Sequence, residues 1–427
     1  MLWSGAMSAP DTHRVAAAIW RIESAKLIAV LVRLLRSVAL AEEIAQDAFV
    51  EALDSWQKNG IPDNPGGWLM TAARHRAFDA LRRARRAERG SDRLEHEADA
   101  ARPADFDEAP DDVVGDDLLR LMFVACHPVL SQEARVALTL RLLGGLTTDE
   151  IARAFLTPEP TIAQRITRAK RTLADQGVPF ELPRAADLHA RLEAVLEVIY
   201  LVFNEGYLAT QGDDWMRPAL CHDALRLGRT LAELLPAESE VHALVALMEI
   251  QASRAGARSG PNGEAILLLD QDRSRWDALL VRRGLDGLAR AEALAANGAG
   301  PYLLQAAIAA CHARAREAAD TDWTRIAALY AALMRVAPSP IVELNRAVAA
   351  SMAFGPAAGL AIVDPLCADR ALVNYPFLPS VRADFLAKLG RFAEAQAEVE
   401  RAATLTKNAR ERALFQERAS AYARGQR

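Results

Sequence analysis

Apolar residues recur at three- and four-residue steps along most of the chain, the period of an α-helix that buries one face. In Ala41–Trp56, Ile44, Ala48, Ala52 and Trp56 repeat every four residues, with Phe49 and Leu53 beside them. The opposite face is acidic: Glu42, Glu43, Asp47, Glu51 and Asp54. Asn59-Gly60 and Ile61–Gly67 (IPDNPGG) form a turn-rich loop, after which a helix is predicted from about Trp68 through Arg86. Further on, Ser131 can cap the helix QEARVALTLRLL, and Gly144-Gly145 can end it. Thr147-Thr148-Asp149-Glu150 fits a capping box that starts the short helix EIARAFL. Thr157-Pro158-Glu159-Pro160 breaks that helix and opens the next, because proline fits a first turn whose N–H groups need no intrahelical partner. From Glu159 on, Ile162, Ile166, Ala169 and Leu173 share one face and are predicted to pack on Ile151, Phe155, Leu138 and Leu142. Two short helices joined by a tight break, the second one basic, outline a helix-turn-helix.

The last part of the chain is alanine-rich, helical and weakly self-similar. Val342–Leu366 and Phe377–Ala402 align with Gly355 over Gly390 and Ala358 over Ala393, a period of 35. Leu389-Gly390-Arg391-Phe392-Ala393-Glu394-Ala395 resembles the L-G-x-x-x-x-A core of tetratricopeptide repeats, where small residues let paired helices approach closely. Asp322–Pro340 has the aromatic and the terminal proline of a repeat's second helix, whereas over 190–300 the repeat signal is weak.

Composition agrees with an all-α fold. Ala and Leu dominate the apolar 51% and β-branched residues are few. At 427 residues the chain exceeds one hydrophobic core. A net charge of −5 gives no global signal for nucleic acid, so any basic signal is local. It changes sign near residue 93: Arg74–Arg93 holds eight arginines against three acids, and Leu94–Asp117 ten acids against one arginine, with two prolines. The second stretch reads as a flexible acidic linker. The expected organisation is a domain over 1–93, a linker over 94–117, a helix-turn-helix domain over 118–180 and a larger helical, repeat-like domain over 181–427.

The four cysteines form no C-x-x-C pair, so neither a zinc ribbon nor a disulfide framework is indicated. Three stand in Cys-His dipeptides (Cys126-His127, Cys221-His222, Cys311-His312), whose members point about 100° apart on a helix and do not readily chelate one ion. No metal or cofactor is expected. Nucleotide-binding and hydrolase motifs are absent, so binding rather than enzymatic chemistry is the expected activity. Val15–Leu40 is interrupted by charges and is no membrane span, the N-terminus lacks a signal-peptide pattern, and a cytoplasmic location is expected.

Two basic elements carry the functional reading. On the helix from Glu159, Thr161, Gln164, Arg165, Arg168 and Arg171 point away from the apolar stripe. Gln164 and Arg165 suit adenine and guanine edges, and Arg168, Lys170 and Arg171 suit phosphates. On the helix from Trp68, Arg74, Arg76, Arg82, Arg83, Arg85 and Arg86 surround the apolar anchors Phe78 and Leu81. A basic groove with aromatic side chains fits unstacked single-stranded bases.

AEEIAQDAFVEALDSW, then NPGGWLMTAARHRAFDALRR, then the helix-turn-helix with AQRITRAKRTL closely resemble, in order and spacing, the two domains of extracytoplasmic-function sigma factors of bacterial RNA polymerase. The resemblance covers roughly 14–177, and the C-terminal half is similar to a subgroup with a tetratricopeptide-like extension. It implies that Glu43, Asp47 and Phe49 dock on the polymerase β′ clamp helices. Trp68, Arg74, His75, Arg76, Asp79, Arg82 and Arg83 match the region that opens and reads the promoter −10 element. Thr161, Gln164, Arg165, Arg168, Lys170 and Arg171 match the −35 reader, in a domain that also contacts the β flap. The linker matches a segment threaded through the polymerase. The sequence departs from the family at His75, where many relatives carry Asn, and at the Pro158-Glu159-Pro160 helix start. The partners implied are core RNA polymerase and promoter DNA, with no membrane. The C-terminal concave surface is suited to bind a regulatory protein, shield the DNA-binding domains or bridge to the polymerase. The competing class, a repeat-domain regulator that never joins the polymerase, explains Glu150–Leu173 equally well but leaves Ala41–Arg83 unexplained.

Overall fold

The computed structural model describes residues 9–88, 111–155, 157–207, 216–260, 266–296, 298–406 and 409–425. Among the described residues every regular element is a helix, in agreement with the all-α expectation. The chain divides into two compact units, Met1–Ile199 and Tyr200–Arg427.

The first unit begins with α1 (Ala9–Leu35) and α2 (Val38–Asn59). Between them Arg36 takes a left-handed φ of 54°, and Ser37 caps α2 by accepting from the Leu40 N–H at 3.3 Å. Helix α3 (Pro65–Glu88) starts three residues ahead of the expected Trp68, because Asn64 accepts the Gly67 N–H at 2.9 Å and proline occupies the first turn. Helix α1 packs against α2 and α3, and the largest side chains there, Leu27, Ile28, Leu31, Trp56 and Leu69, are fully buried.

Helix α4 (Asp111–Ala125) corrects the expected linker, whose residues 94–110 lie outside the described residues. Its last seven residues are helical, and Asp117 is fully buried between Arg33 Nε of α1 at 2.7 Å and Arg120 Nη1 at 2.8 Å. An acid-rich composition reads as solvated chain; two guanidinium partners reverse that here. Then come α5 (Gln132–Leu142), α6 (Thr148–Ala154) and α7 (Glu159–Asp175). Ser131 caps α5, and Thr147 and Glu150 form the capping box of α6, as the sequence predicts. Ile162, Ile166, Ala169 and Leu173 are all buried, with α7 packed on α5 and α6. Helix α8 (Ala185–Tyr207) is bound to α4 and α5: Arg191 donates to the Phe123 carbonyl at 2.7 Å, and Gln132 and Arg135 reach Glu197 at 2.9 and 3.2 Å. The compact division therefore falls near residue 200 instead of near 181.

The second unit holds α9 (Pro218–Leu234), α10 (Ser239–Ala252), α11 (Ala278–Leu294), α12 (Pro301–Arg314), α13 (Trp323–Val336), α14 (Pro340–Phe354), α15 (Pro356–Leu366), α16 (Phe377–Lys388), α17 (Phe392–Leu405) and α18 (Ala409–Ala423). From α12 on, each helix packs on the next in sequence, the nearest-neighbour stacking of a helical repeat array. The turns α14–α15 and α16–α17 are 35 residues apart, and each holds a left-handed glycine, Gly355 at φ 95° and Gly390 at φ 80°. The period read from the sequence is thus a repeated hairpin. Between α10 and α11 the chain runs through short 3-10 turns instead, which fits the weak repeat signal there. Gly390→Ala forces an L side chain into that left-handed turn and is expected to cost about 1–2 kcal/mol, read as a lower midpoint in thermal denaturation.

Candidate nucleic-acid interface

The outer face of α7 is built by subtraction. Its apolar stripe is buried against α5 and α6, which leaves Thr161, Gln164, Arg168 and Arg171 exposed and Arg165 half-buried. Arg171 pairs with Asp175 one turn on, at 3.4 Å. Arg168 has no ion-pair partner among the described residues, so its charge is available to a ligand. Pro158 and Pro160 begin the helix without a side-chain cap, and the Thr161 N–H donates to the Pro158 carbonyl at 2.9 Å.

Lys170 differs from the expectation of a phosphate contact. It turns inward and pairs with Glu42 of α2. Glu42 itself corrects the reading of α2 as having a wholly exposed acidic face: it is 3% exposed and also takes Arg141 Nε at 2.6 Å and Gln46 Nε2 at 2.6 Å. A second link joins Arg21 of α1 to Glu150 at 2.5 Å. Between the two links, Gly145 has a φ of 69°, and a Cβ placed on it would lie 2.9 Å from Ser24 Oγ and 3.2 Å from Arg21 Cα. The α5–α6 turn thus lies directly on the α1 backbone. Burial pushes the Glu150 carboxyl up, but the Thr147 backbone N–H and the Arg21 guanidinium outweigh it and hold the group below its ordinary value of 4.5.

The face formed by α2 and α3 brings the remaining predicted residues together. Trp68 is half-buried edge-to-face on Trp56, with ring centroids 5.7 Å apart, so much of its surface is spent on packing. His75, Asp79, Arg82 and Arg83 are exposed, and Arg74 is half-buried. Arg82 sits 3.7 Å from Asp79, and Arg83 donates to the Asp79 carbonyl at 3.3 Å. Arg76 is held by Glu51 at 2.9 Å and lies 3.8 Å from Asp47, so it is positioned by α2. Glu43 and Asp47 are exposed, and Phe49 stacks on Trp20 with centroids 4.7 Å apart. Acidic and aromatic groups on α2 thus adjoin a row of cations on α3, two surfaces of opposite sign on one helical pair.

The buried cysteines are packing residues. Cys126 bonds to Thr139 Oγ1 at 3.4 Å, and burial pushes its thiol up to about 11, so it stays protonated at neutral pH. Among the described residues no three His, Cys, Asp or Glu side chains gather as a metal site, and no helix is long and apolar enough to cross a membrane.

Residues 21–87 match the family Sigma-70 region 2, and residues 120–173 match Sigma-70, region 4. Residues 191–292 match a family of unknown function, DUF6596. An uncharacterized protein of Rhizobium meliloti (strain 1021) is 43% identical over 391 residues, 90% of each chain. A probable ECF RNA polymerase sigma factor, SigI, of Mycobacterium tuberculosis is 29% identical over 168 residues, 39% of this chain and 57% of that protein. Both sigma-70 regions lie in their expected order, one on α1–α3 and the other on α4–α7, and this defines a sigma-type DNA-binding protein of transcription initiation. With the likeness to SigI, the two regions support a member of the extracytoplasmic-function group of sigma-70 factors.

The Arg21, Glu42, Arg141 and Glu150 links escaped the sequence reading because they join segments about a hundred residues apart. The available local signal was Glu42 itself, which stands beside the small buried Ala41 and Ala45. Glu42→Ala leaves Lys170 and Arg141, each less than a fifth exposed, without their shared anion. A loss of about 3 kcal/mol is expected, less when Lys170→Met removes the stranded charge; urea denaturation of the single and double variants measures both. The Glu150 link has the opposite dependence on acid to a raised histidine. Its carboxyl is depressed, so its contribution is present above 4.5 and lost as pH falls through the folded value, and Glu150→Gln is expected to flatten the acid limb of a stability-versus-pH curve.

Proposed function

We propose that this sigma factor joins core RNA polymerase through the acidic and aromatic face of α2, reads a −35 element with α7 and reads and melts a −10 element with α3. The observation that carries the reading is the pairing state of the cations. Arg168 stands exposed without a carboxylate partner, and Gln164 and Thr161 flank it near the helix N-terminus that reaches base edges in a helix-turn-helix. On α3, Arg83, Arg85 and Arg86 are exposed cations on the same helix as the exposed His75 and Arg82. Glu43, Asp47 and Phe49 supply complementary chemistry for a basic coiled coil, the β′ clamp helices, and the α4–α7 domain adds a contact to the β flap. Lys170 is left out of the primary DNA contacts because Glu42 holds it.

The mechanism is binding without bond chemistry. Phosphate contacts fix register, Gln164 and Arg165 read base edges, and bases flipped from the −10 stack are held against α3, offsetting an unstacking cost of a few kcal/mol. The Glu42, Glu150 and Asp117 links hold the two readers together, so binding of one raises the effective concentration of the other. This takes place in the cytoplasm. The second unit regulates the factor, as a built-in substitute for a separate inhibitor or as a surface for a regulatory protein. A chain truncated after Ile199, which keeps the bonds between α8 and α4–α5, tests that role by its promoter-specific output.

Run-off transcription with core enzyme and the full chain tests the main reading. Promoter-dependent transcripts are expected from core plus this protein and not from core alone. Binding to DNA by a protein that core polymerase does not capture in a pull-down would point instead to a free-standing regulator. Gln164→Ala is expected to cost about 1–3 kcal/mol and relax one base preference. Arg168→Ala is expected to weaken all sequences alike and lower the salt slope of binding by about 0.9.

A further inference from the structure

Several arginines of the second unit find carboxylates. Arg229 meets Glu249 at 2.7 Å, Arg346 meets Glu343 at 2.6 Å, and Arg382 meets Asp364 and Glu398 at 2.9 and 2.8 Å. Three arginines at the α10–α11 junction do not. The Arg258 guanidinium lies 3.7 Å from the Tyr207 ring centroid, and Arg273 lies 5.0 Å from that of Trp276. Arg254 lies between the two rings, 5.6 Å from Tyr207 and 5.8 Å from Trp276. Among the described residues none of the three has a carboxylate at ion-pair distance. Burial first, and Arg254 second, hold Arg258 and Arg273 below the usual guanidinium range. The same burial, with Arg254 and Arg273, pushes His312 down to about 4, so it is a neutral imidazole.

The polar atoms around this cluster are also unsatisfied. Gln271, Trp276 and His312 are each 8% exposed, and Gln271 Oε1, Trp276 Nε1 and His312 Nδ1 have no hydrogen-bond partner. The Nε atoms of Arg254 and Arg273 are likewise unpartnered. A buried polar group left unpaired costs roughly 1–3 kcal/mol, and of these residues Arg273 and Trp276 line the adjoining cavity, where a ligand can reach them. Arg273 anchors the turn to the end of α12 by donating to the carbonyls of His312 and, at 2.9 Å, Ala315. Beside it opens a cavity of about 600 Å³, walled by Arg273, Trp276, Arg282, Arg314 and Arg316, with Asp286 as its one carboxylate and an apolar floor from α11. That volume lies within the range of small-molecule sites, roughly 300–1,000 Å³.

We propose that this cavity binds a small phosphate ester, its charged group held by Arg273, Arg282, Arg314 and Arg316 and its apolar body against Trp276. Three exposed guanidinium forks, Arg282, Arg314 and Arg316, with the unpartnered Nε of Arg273 and against one carboxylate, suit a multiply charged phosphate better than a single carboxylate, because each free fork can take two oxygens. Arg254, whose charge acts on Arg273, adds positive potential to the site. The site is independent of how the first unit meets DNA.

Isothermal titration calorimetry of the full chain with pyrophosphate, AMP and citrate at constant ionic strength is the test. Pyrophosphate and AMP are expected to bind saturably at one site per chain, to raise the thermal midpoint and to perturb the Trp276 emission. Arg282 and Arg316 are exposed, so Arg282→Ala and Arg316→Ala leave the fold intact, and each is expected to weaken binding roughly tenfold. No saturable binding of the phosphate probes overturns the proposal, as does binding that both variants leave unchanged or that citrate matches.

Discussion

A carboxylate removed from water is costly unless cations meet it, and Glu42 is removed almost completely. Arg141 of α5 and Lys170 of α7 meet it together, so one anion on α2 fixes two helices of the α4–α7 domain. The orientation of α7 follows. Its apolar stripe and Lys170 both point inward, and only then do Gln164, Arg168 and Arg171 share an outward face. The Arg21–Glu150 link and the close approach at Gly145 hold the neighbouring turn to α1 in the same register. Asp117, locked by Arg33 and Arg120, does the same for α4. Two buried carboxylates and the half-buried Glu150 thus organise the first unit, each joining residues far apart in sequence.

The contrast between paired and unpaired cations sorts structural arginines from those free for a partner. Arg76 is occupied by Glu51, and Arg141 by Glu42; these arginines position helices. Arg168 on α7 has no such anion among the described residues, and neither do Arg254, Arg258 and Arg273 in the second unit. The first group costs little at rest because its charges are compensated. The second group carries uncompensated charge, most of it partly buried, and such charge is tolerated where a ligand supplies the missing anion. By the same measure, the partners proposed for the two units differ: an extended polyanion across α3 and α7, and a compact one in the cavity beside α11.

Local chemistry was legible in the sequence. Ser131, the Thr147–Glu150 box, the proline start of α7 and the stripe from Ile162 to Leu173 each depend on residues within a few positions, and each forms as read. The 35-residue spacing of Gly355 and Gly390 was legible because a left-handed turn demands glycine wherever it recurs. Long-range pairing was not. Glu42 and Asp117 look like surface acids until Arg141, Lys170 and Arg33 arrive from other helices, and Lys170 looks like a DNA contact for the same reason. Only the fold shows Arg254 lying between Tyr207 at the end of α8 and Trp276.

Site-specific photocrosslinking in the assembled holoenzyme tests most directly whether α7 and α3 hold separate promoter elements. Photoreactive groups at position 164 on α7 and position 75 on α3 are expected to label two distinct promoter segments, the upstream one as duplex and the downstream one as melted strand. Both labels must depend on core polymerase for the downstream contact to form. Labelling of a single segment by both positions, or upstream labelling unaccompanied by any downstream contact in the holoenzyme, would contradict the assignment of α3 and α7 to separate elements.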